Sequence, residues 1–214
     1  MQYKVQDINL NDVNASITLM KENDSIENVV INLDTFLQYP LVRGQFLDIS
    51  EYKNVMNYDE YVNALNFVIS KVKKRTEISY LAMKKMVGNQ GYDSSVVDMV
   101  IKKMQSNHMI NDDSNIEEIM SYQFRCHRGY ERISRDLIAK DYLEEDIEKV
   151  YQKLKKVEEK YAYSYAKKLY SSYKKAKDAN FIRSLYNRLA YSGYGEDLIS
   201  KIMSDFHLPN EVHE

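Results

Sequence analysis

Arg75, Arg125 and Lys177 each stand 17 residues ahead of a tyrosine, Tyr92, Tyr142 and Tyr194 in turn. Lys73, Lys74, Arg128, Lys174 and Lys175 crowd around them, and Arg132 and Arg135 extend the middle group. Cations recurring at a fixed offset suit one kind of chemistry, the neutralisation and charge-assisted hydrogen bonding of phosphate or carboxylate. A local explanation competes with it. Lys and Arg favour the last turn of a helix, where the macrodipole rewards each by roughly 0.3–1 kcal/mol. The two explanations balance for the outer groups, whereas four arginines gathered near one bend favour binding for the middle group.

Other chemistry is poorly supported. His108, His127, His207 and His213 are scattered, with no i, i+4 pair and no cysteine ligand nearby, so a metal site is not expected. Neither a G-x-x-x-x-G-K-[ST] phosphate loop nor a G-x-S-x-G nucleophile turn occurs. Cys126, between Arg125 and His127, has neighbours that favour a thiolate, yet a lone helical cysteine is far more often inert. The carboxylate groups Asp112-Asp113, Glu117-Glu118 and Glu144-Glu145-Asp146 read as helix N-termini rather than as a Mg²⁺ site. Tyr161, Tyr163, Tyr165, Tyr170 and Tyr173 interleave with lysines in the manner of a base-stacking surface, but the spacing of Ala162, Ala166, Leu169 and Tyr173 favours packing. No enzyme, cofactor or metal is expected.

These residues must be positioned by a repeat. The anchors Gly91-Tyr92, Asp141-Tyr142 and Gly193-Tyr194 lie 50 and 52 residues apart. Met83, Ile133 and Leu185 stand nine before the tyrosines, and Val87, Leu137 and Leu189 five before. Val97, Ile147 and Ile199 follow by five, Val100, Val150 and Ile202 by eight, and Met104, Leu154 and Phe206 by twelve. Such offsets keep apolar residues on one face of a helix before the bend and of another after it. Self-similarity at this period predicts a tandem array of three-helix repeats forming an elongated curved stack, mainly α. Units are expected at 53–110, 111–156 and 157–208, with a tail at 209–214. Asn57-Tyr58-Asp59-Glu60 has the form of a capping box for the first unit, and Thr76, Asp93 and Asp178 are candidate helix caps. The third unit is expected to open near Glu158.

Residues 1–52 differ. Val5–Ile8 and Ala15–Leu19 alternate, and Val29–Leu33 is β-branched, which predicts a small β-rich piece containing a hairpin of Ile17–Met20 with Val29–Leu33. Asp34–Tyr39 reads as a short helix and Arg43-Gly44 as a turn. Seven acidic residues against three basic ones make residues 1–50 acidic, although the whole chain of 214 residues carries a net charge of only −2. The single cysteine, the absence of an 18-residue apolar run and an N-terminus without a signal pattern predict a soluble cytoplasmic protein with no membrane partner.

The stretch Lys84–Met104 resembles the "L…K-G-Y…I…V-I…L" pattern of the RecX regulatory proteins. Met109–Met120 (MINDDSNIEEIM) is similar to that family's linker, and Arg128–Leu154 to its second repeat. The resemblance covers roughly Tyr58 to Phe206. Asn107 and Asp141 stand where the family has glycine; both tolerate the left-handed backbone, so those turns should survive. The resemblance implies a non-enzymatic monomer acting in DNA recombination, DNA repair and the SOS response. Such a protein binds the RecA recombinase filament on single- or double-stranded DNA and inhibits its ATPase and strand exchange. Two alternatives stand beside it: a DNA-binding helical-repeat module needing no recombinase, and a scaffold whose repeats serve protein contacts alone.

Overall fold

The computed structural model describes residues 2–72, 78–176 and 180–208, the side chains of 175 and 176 excepted. The fold is mainly α-helical with a small N-terminal β-sheet. Its contacts divide the chain into two units, Met1–Ile78 with Met83–Met109, and Ser79–Ala82 with Ile110–Glu214.

In the first unit β1 (Gln2–Leu10), β2 (Asn14–Lys21), β3 (Ile26–Asn32) and β4 (Phe46–Asp48) form an antiparallel sheet in the order β3-β2-β1-β4. The expected hairpin is β2 with β3, Ile17 facing Val29, but Leu33 opens α1 (Leu33–Gln38) instead of ending the strand. Alternation buries Tyr3, Val5, Ala15, Ile17, Leu19, Val29 and Ile31 on one face. That face meets Val55 of α2 (Ile49–Val72).

The helix expected to open at the Asn57–Glu60 capping box, α2, begins earlier. Asp48 Oδ1 accepts from the N–H groups of Ser50 and Glu51, and Glu51 Oε2 accepts from the Asp48 N–H, so the box that opens α2 is Asp48-Ile49-Ser50-Glu51. Asp59 lies instead at mid-helix, buried. Its Oδ1 accepts from the Asn32 N–H at 2.6 Å and the Thr35 hydroxyl at 2.8 Å, and its Oδ2 from Asn63 at 2.9 Å. α3 (Tyr80–Gly88) and α4 (Ser94–Ser106) follow, the latter opening at Asp93, whose side chain makes no capping bond. Thr76, Asp178 and the tail 209–214 lie outside the described residues.

The second unit holds α5 (Asp112–Arg125), α6 (Tyr130–Ile138), α7 (Glu144–Ala176), α8 (Phe181–Ser192) and α9 (Glu196–Asp205). No break occurs near Glu158: α7 runs through 33 residues. Its first half packs in one apolar cluster with α5 and α6, its second half in another with α8 and α9. Of the fifteen apolar positions aligned on the tyrosines, all but Phe206 are buried.

The bends have the backbone the sequence asks for. Gly91, Asp141 and Gly193 have φ of 86°, 63° and 89°. After α6 and α8 the bend closes by paired bonds to the helix end, Asp141 and Tyr142 donating to Ile138 and Leu137, Gly193 and Tyr194 to Ala190 and Leu189. The anchor tyrosine N–H thus adds a bond to a carbonyl in the last turn of the helix, and Tyr142 and Tyr194 are themselves buried. Asn107 does not carry the corresponding turn. It sits at φ −90°, and His108 takes the left-handed conformation at φ 55°, as do His127 and His207 at the ends of α5 and α9. Three of the scattered histidines are therefore helix stops.

Candidate partner-binding corner

The middle arginine group surrounds the turn from α5 into α6. His127 (φ 60°) reverses the chain, its N–H and that of Arg128 bonding back to Phe124 and Gln123. Its ring stacks on Tyr165 at 4.6 Å, and burial, then Lys168, holds its pKa below the ordinary imidazole value. The four arginines differ in freedom. Arg125 ends α5, exposed, its guanidinium 5.9 Å from the Tyr122 ring. Arg135 is exposed on α6 and donates to the Glu131 carbonyl. Arg128 reaches Asp136 at 3.5 Å, a solvent-exposed pair worth little. Arg132 is half-buried rather than fully outward, lying over Tyr191 at 5.8 Å with its backbone against Gly193. Ile133 and Leu137 take the buried face of α6.

The outer groups are less fully placed. Lys174 is exposed and lies 5.7 Å from the Tyr170 ring. Lys73, Lys74, Arg75 and Lys177, with the side chain of Lys175, lie outside the described residues. The tyrosine series is packing: Tyr163, Tyr165, Tyr170 and Tyr173 border the α7–α8–α9 core and Tyr161 the α5–α6–α7 core. Tyr163 donates to Asp205, and Tyr170 meets Phe181 and Phe206 edge-on. Cys126 is a free, exposed thiol just after α5. Among the described residues no group of three or more His, Cys, Asp or Glu side chains is placed to hold a metal.

What fixes the corner is a backbone junction that pattern reading misses. The Gly129 N–H donates to the Ser192 carbonyl at 2.8 Å, and the Glu131 N–H to the Gly193 carbonyl at 3.1 Å. A Cβ on Gly129 would sit 2.2 Å from that carbonyl oxygen, and one on Gly193 would sit 2.4 Å from the Arg132 Cβ. Only two glycines permit so close an approach. A junction of the same plan occurs at Ser79, whose hydroxyl donates to the Lys140 and Asp141 carbonyls, both at 3.0 Å. Ser79 and Gly129 each stand 13 residues before an anchor tyrosine, and their partners stand one and two before the next.

A carboxylate completes each junction. Asp112 accepts from the Tyr80 N–H at 3.1 Å, and Glu158 Oε1 from the Tyr130 N–H at 2.7 Å. Glu158 Oε2 also accepts from the Tyr151 hydroxyl. Burial raises the pKa of both acids above the ordinary carboxylate value, against these bonds. Burial, then the bond to Glu148, pushes the Tyr130 hydroxyl up to about 12, and its ring stacks on Tyr151 at 3.7 Å. The recurrence of Tyr80 and Tyr130, each twelve before an anchor, is the signal that could have found this arrangement.

No family profile matches the chain. It is 22% identical over 200 residues to the regulatory protein RecX of Clostridioides difficile (strain 630), covering 89% of this chain and 93% of that protein. A crystal structure of a regulatory protein RecX superposes with a TM-score of 0.67 at 16% identity, over 94% of this chain and 99% of the other. The crystal structure of RecX from Lactobacillus salivarius gives 0.61 at 16% identity, over 70% of this chain and 98% of the other. The chain is thus similar in sequence, over nearly the length of both chains, to a regulatory protein RecX, and it shares the fold of the RecX crystal structures.

Proposed function

We propose that this protein is a non-enzymatic regulator of homologous recombination and DNA repair that binds the RecA–DNA filament and inhibits its ATPase and strand-exchange activities. The observation that carries this reading is the likeness to a RecX protein across 89% of the chain. The corner geometry supports it. Arg125 at the end of α5 and Arg135 on α6 stand exposed on either side of a turn fixed by the Gly129–Gly193 junction, which suits an anionic partner surface approached without reordering. We place the recombinase contact on Arg125, Arg128, Arg132 and Arg135, with Lys73, Lys74, Arg75, Lys174, Lys175 and Lys177 as flanking groups of the same kind. The recurrence of the junction two anchors in succession supports reading the helices as tandem three-helix units.

The test is RecA-catalysed ATP hydrolysis on single-stranded DNA with this protein titrated in. Hydrolysis should fall with added protein, and changing the four arginines to Glu should relieve the inhibition while circular dichroism stays unchanged. Hydrolysis unaffected across a wide concentration range would refute the function. Full inhibition by the folded quadruple variant would move the contact elsewhere.

A further inference from the structure

The outward face of α7 carries a row of lysines of which the recombinase reading above uses Lys174 alone. Residues 151–176 contain eight lysines and two carboxylates, in a chain whose net charge is −2. Lys153, Lys160, Lys167 and Lys174 follow at steps of seven, with Lys156 between the first two and Ser164 and Ser171 in the gaps, and all are exposed. At 3.6 residues per turn these side chains stay within a sector about 80° wide, opposite the buried Leu154, Glu158 and Ala162. With a rise of about 1.5 Å per residue the steps are about 10.5 Å and the row about 31 Å long.

Both carboxylates are engaged elsewhere, Glu158 at the Tyr130 junction and Glu159 with Lys201. Among the described residues no ion pair joins Lys153, Lys156, Lys160, Lys167 or Lys174 to an acid. Helix stability does not account for such a row. The macrodipole favours cations in the last turn alone, which accounts for Lys174 but not for the four lysines before it. Like charges four apart, as at Lys156 and Lys160, oppose the helix, and a helix face selected only for solvation mixes both signs.

An even, straight row of point charges, with hydroxyls between and no acid among them, fits a linear polyanion. One turn of a B-form duplex is about 34–36 Å, close to the length of the row, and its phosphates follow one another without intervening cations. An acidic protein surface offers carboxylates at no fixed interval. Lysine ammonium groups contact phosphate without reading bases. We propose that the outward face of α7, from Lys153 to Lys174, binds the phosphodiester backbone of nucleic acid directly and without sequence preference. This goes beyond the recombinase reading and does not rest on it, since binding is read on bare nucleic acid.

The experiment is fluorescence anisotropy of the full chain with labelled 30-base-pair duplexes and 30-nucleotide single strands of two unrelated sequences, between 50 and 200 mM salt. Five phosphate contacts predict a slope of log affinity against log salt of about −4.5 on duplex or about −3.5 on single strand, the same for both sequences. The form bound more tightly identifies the natural one. Replacing Lys153, Lys160, Lys167 and Lys174 by Gln should reduce the slope to about −1 and weaken binding at least tenfold at the lower salt. Replacing Lys53, Lys71, Lys102 and Lys103 by Gln makes the same change in net charge and should leave the slope intact. If the fourfold row variant fails to fold, the Lys160→Gln, Lys167→Gln pair should still remove about two units of slope. The proposal is overturned by a wild-type chain without salt-sensitive binding, by equal losses in row and control variants, or by polyglutamate competing as well as DNA at equal charge.

Discussion

Gly129→Ala adds one methyl group where the backbone leaves no room for it. Gly129 has φ −87°, which alanine adopts freely, so the substitution carries no conformational strain of its own. The new Cβ would lie 2.2 Å from the Gly193 oxygen and 2.3 Å from the Tyr194 nitrogen, both main-chain atoms that no rotamer change can clear. The α6 and α8 ends must separate, which weakens the Gly129–Ser192 and Glu131–Gly193 bonds and disturbs the Glu158 bond to Tyr130. Overpacking costs about 1–3 kcal/mol and each buried hydrogen bond about 1 kcal/mol, so the total is roughly 3–5 kcal/mol. For a chain of this length that is a fall in melting temperature of roughly 10 °C, read by circular dichroism at 222 nm. Gly88→Ala is the control, since its Cβ would meet nothing within 4 Å. A Gly129→Ala protein melting within about 2 °C of wild type would show that the junction does not hold the helices as described.

Three further outcomes test the core and its buried acids. Ile147→Ala and Leu154→Ala should each destabilise by roughly 2–5 kcal/mol in urea titrations, the fully buried Ile147 more than Leu154 at 9% exposure. Asp59→Ala strips the acceptor from the Asn32 N–H and the buried Thr35 hydroxyl and should cost roughly 2–4 kcal/mol by the same measurement. Glu158 has its folded-state pKa raised by burial, so its contribution to stability is complete below the unfolded carboxylate value and is lost as pH rises through the folded one. The wild-type urea midpoint should therefore fall relative to that of Glu158→Gln from pH 4.5 upward, and parallel pH profiles would contradict the assignment.

The three bends were legible because one requirement recurs: a residue tolerant of positive φ followed by an anchor tyrosine. Gly91, Asp141 and Gly193 meet it with two residue types. The periodic core positions were legible for the same reason. The start of α2 was not. Asn57–Glu60 has capping-box chemistry, but the helix already runs through it, and Asp59 is recruited into a core by Asn32 and Thr35, residues distant in sequence. The true box, Asp48 to Glu51, is disguised because Asp48 is also the last residue of β4. Asn107 was one residue early, because the bonds closing the turn choose His108 whatever its intrinsic preference. Of the candidate corner, the arginines were legible as a cluster, while the Gly129–Gly193 contact depends on partners 64 residues apart. The α7 lysine row was hidden by counting from the tyrosine anchors, since its period belongs to a single continuous helix.

That continuity has a consequence for how the sequence can change. Where α7 passes from the core of α5 and α6 to the core of α8 and α9 there is no loop to absorb a length difference. One residue inserted near Val157 would turn every later side chain of the helix by about 100° and advance it by about 1.5 Å, carrying Ala162 and Ala166 out of their core. Seven inserted residues would restore the rotation to within about 20° yet push the second core about 10 Å along the axis, away from the Gly129–Gly193 contact. This segment is therefore phase-locked, and drift in repeat length, such as the difference between the 50- and 52-residue anchor spacings, has to be taken up in the connections that flank the rod.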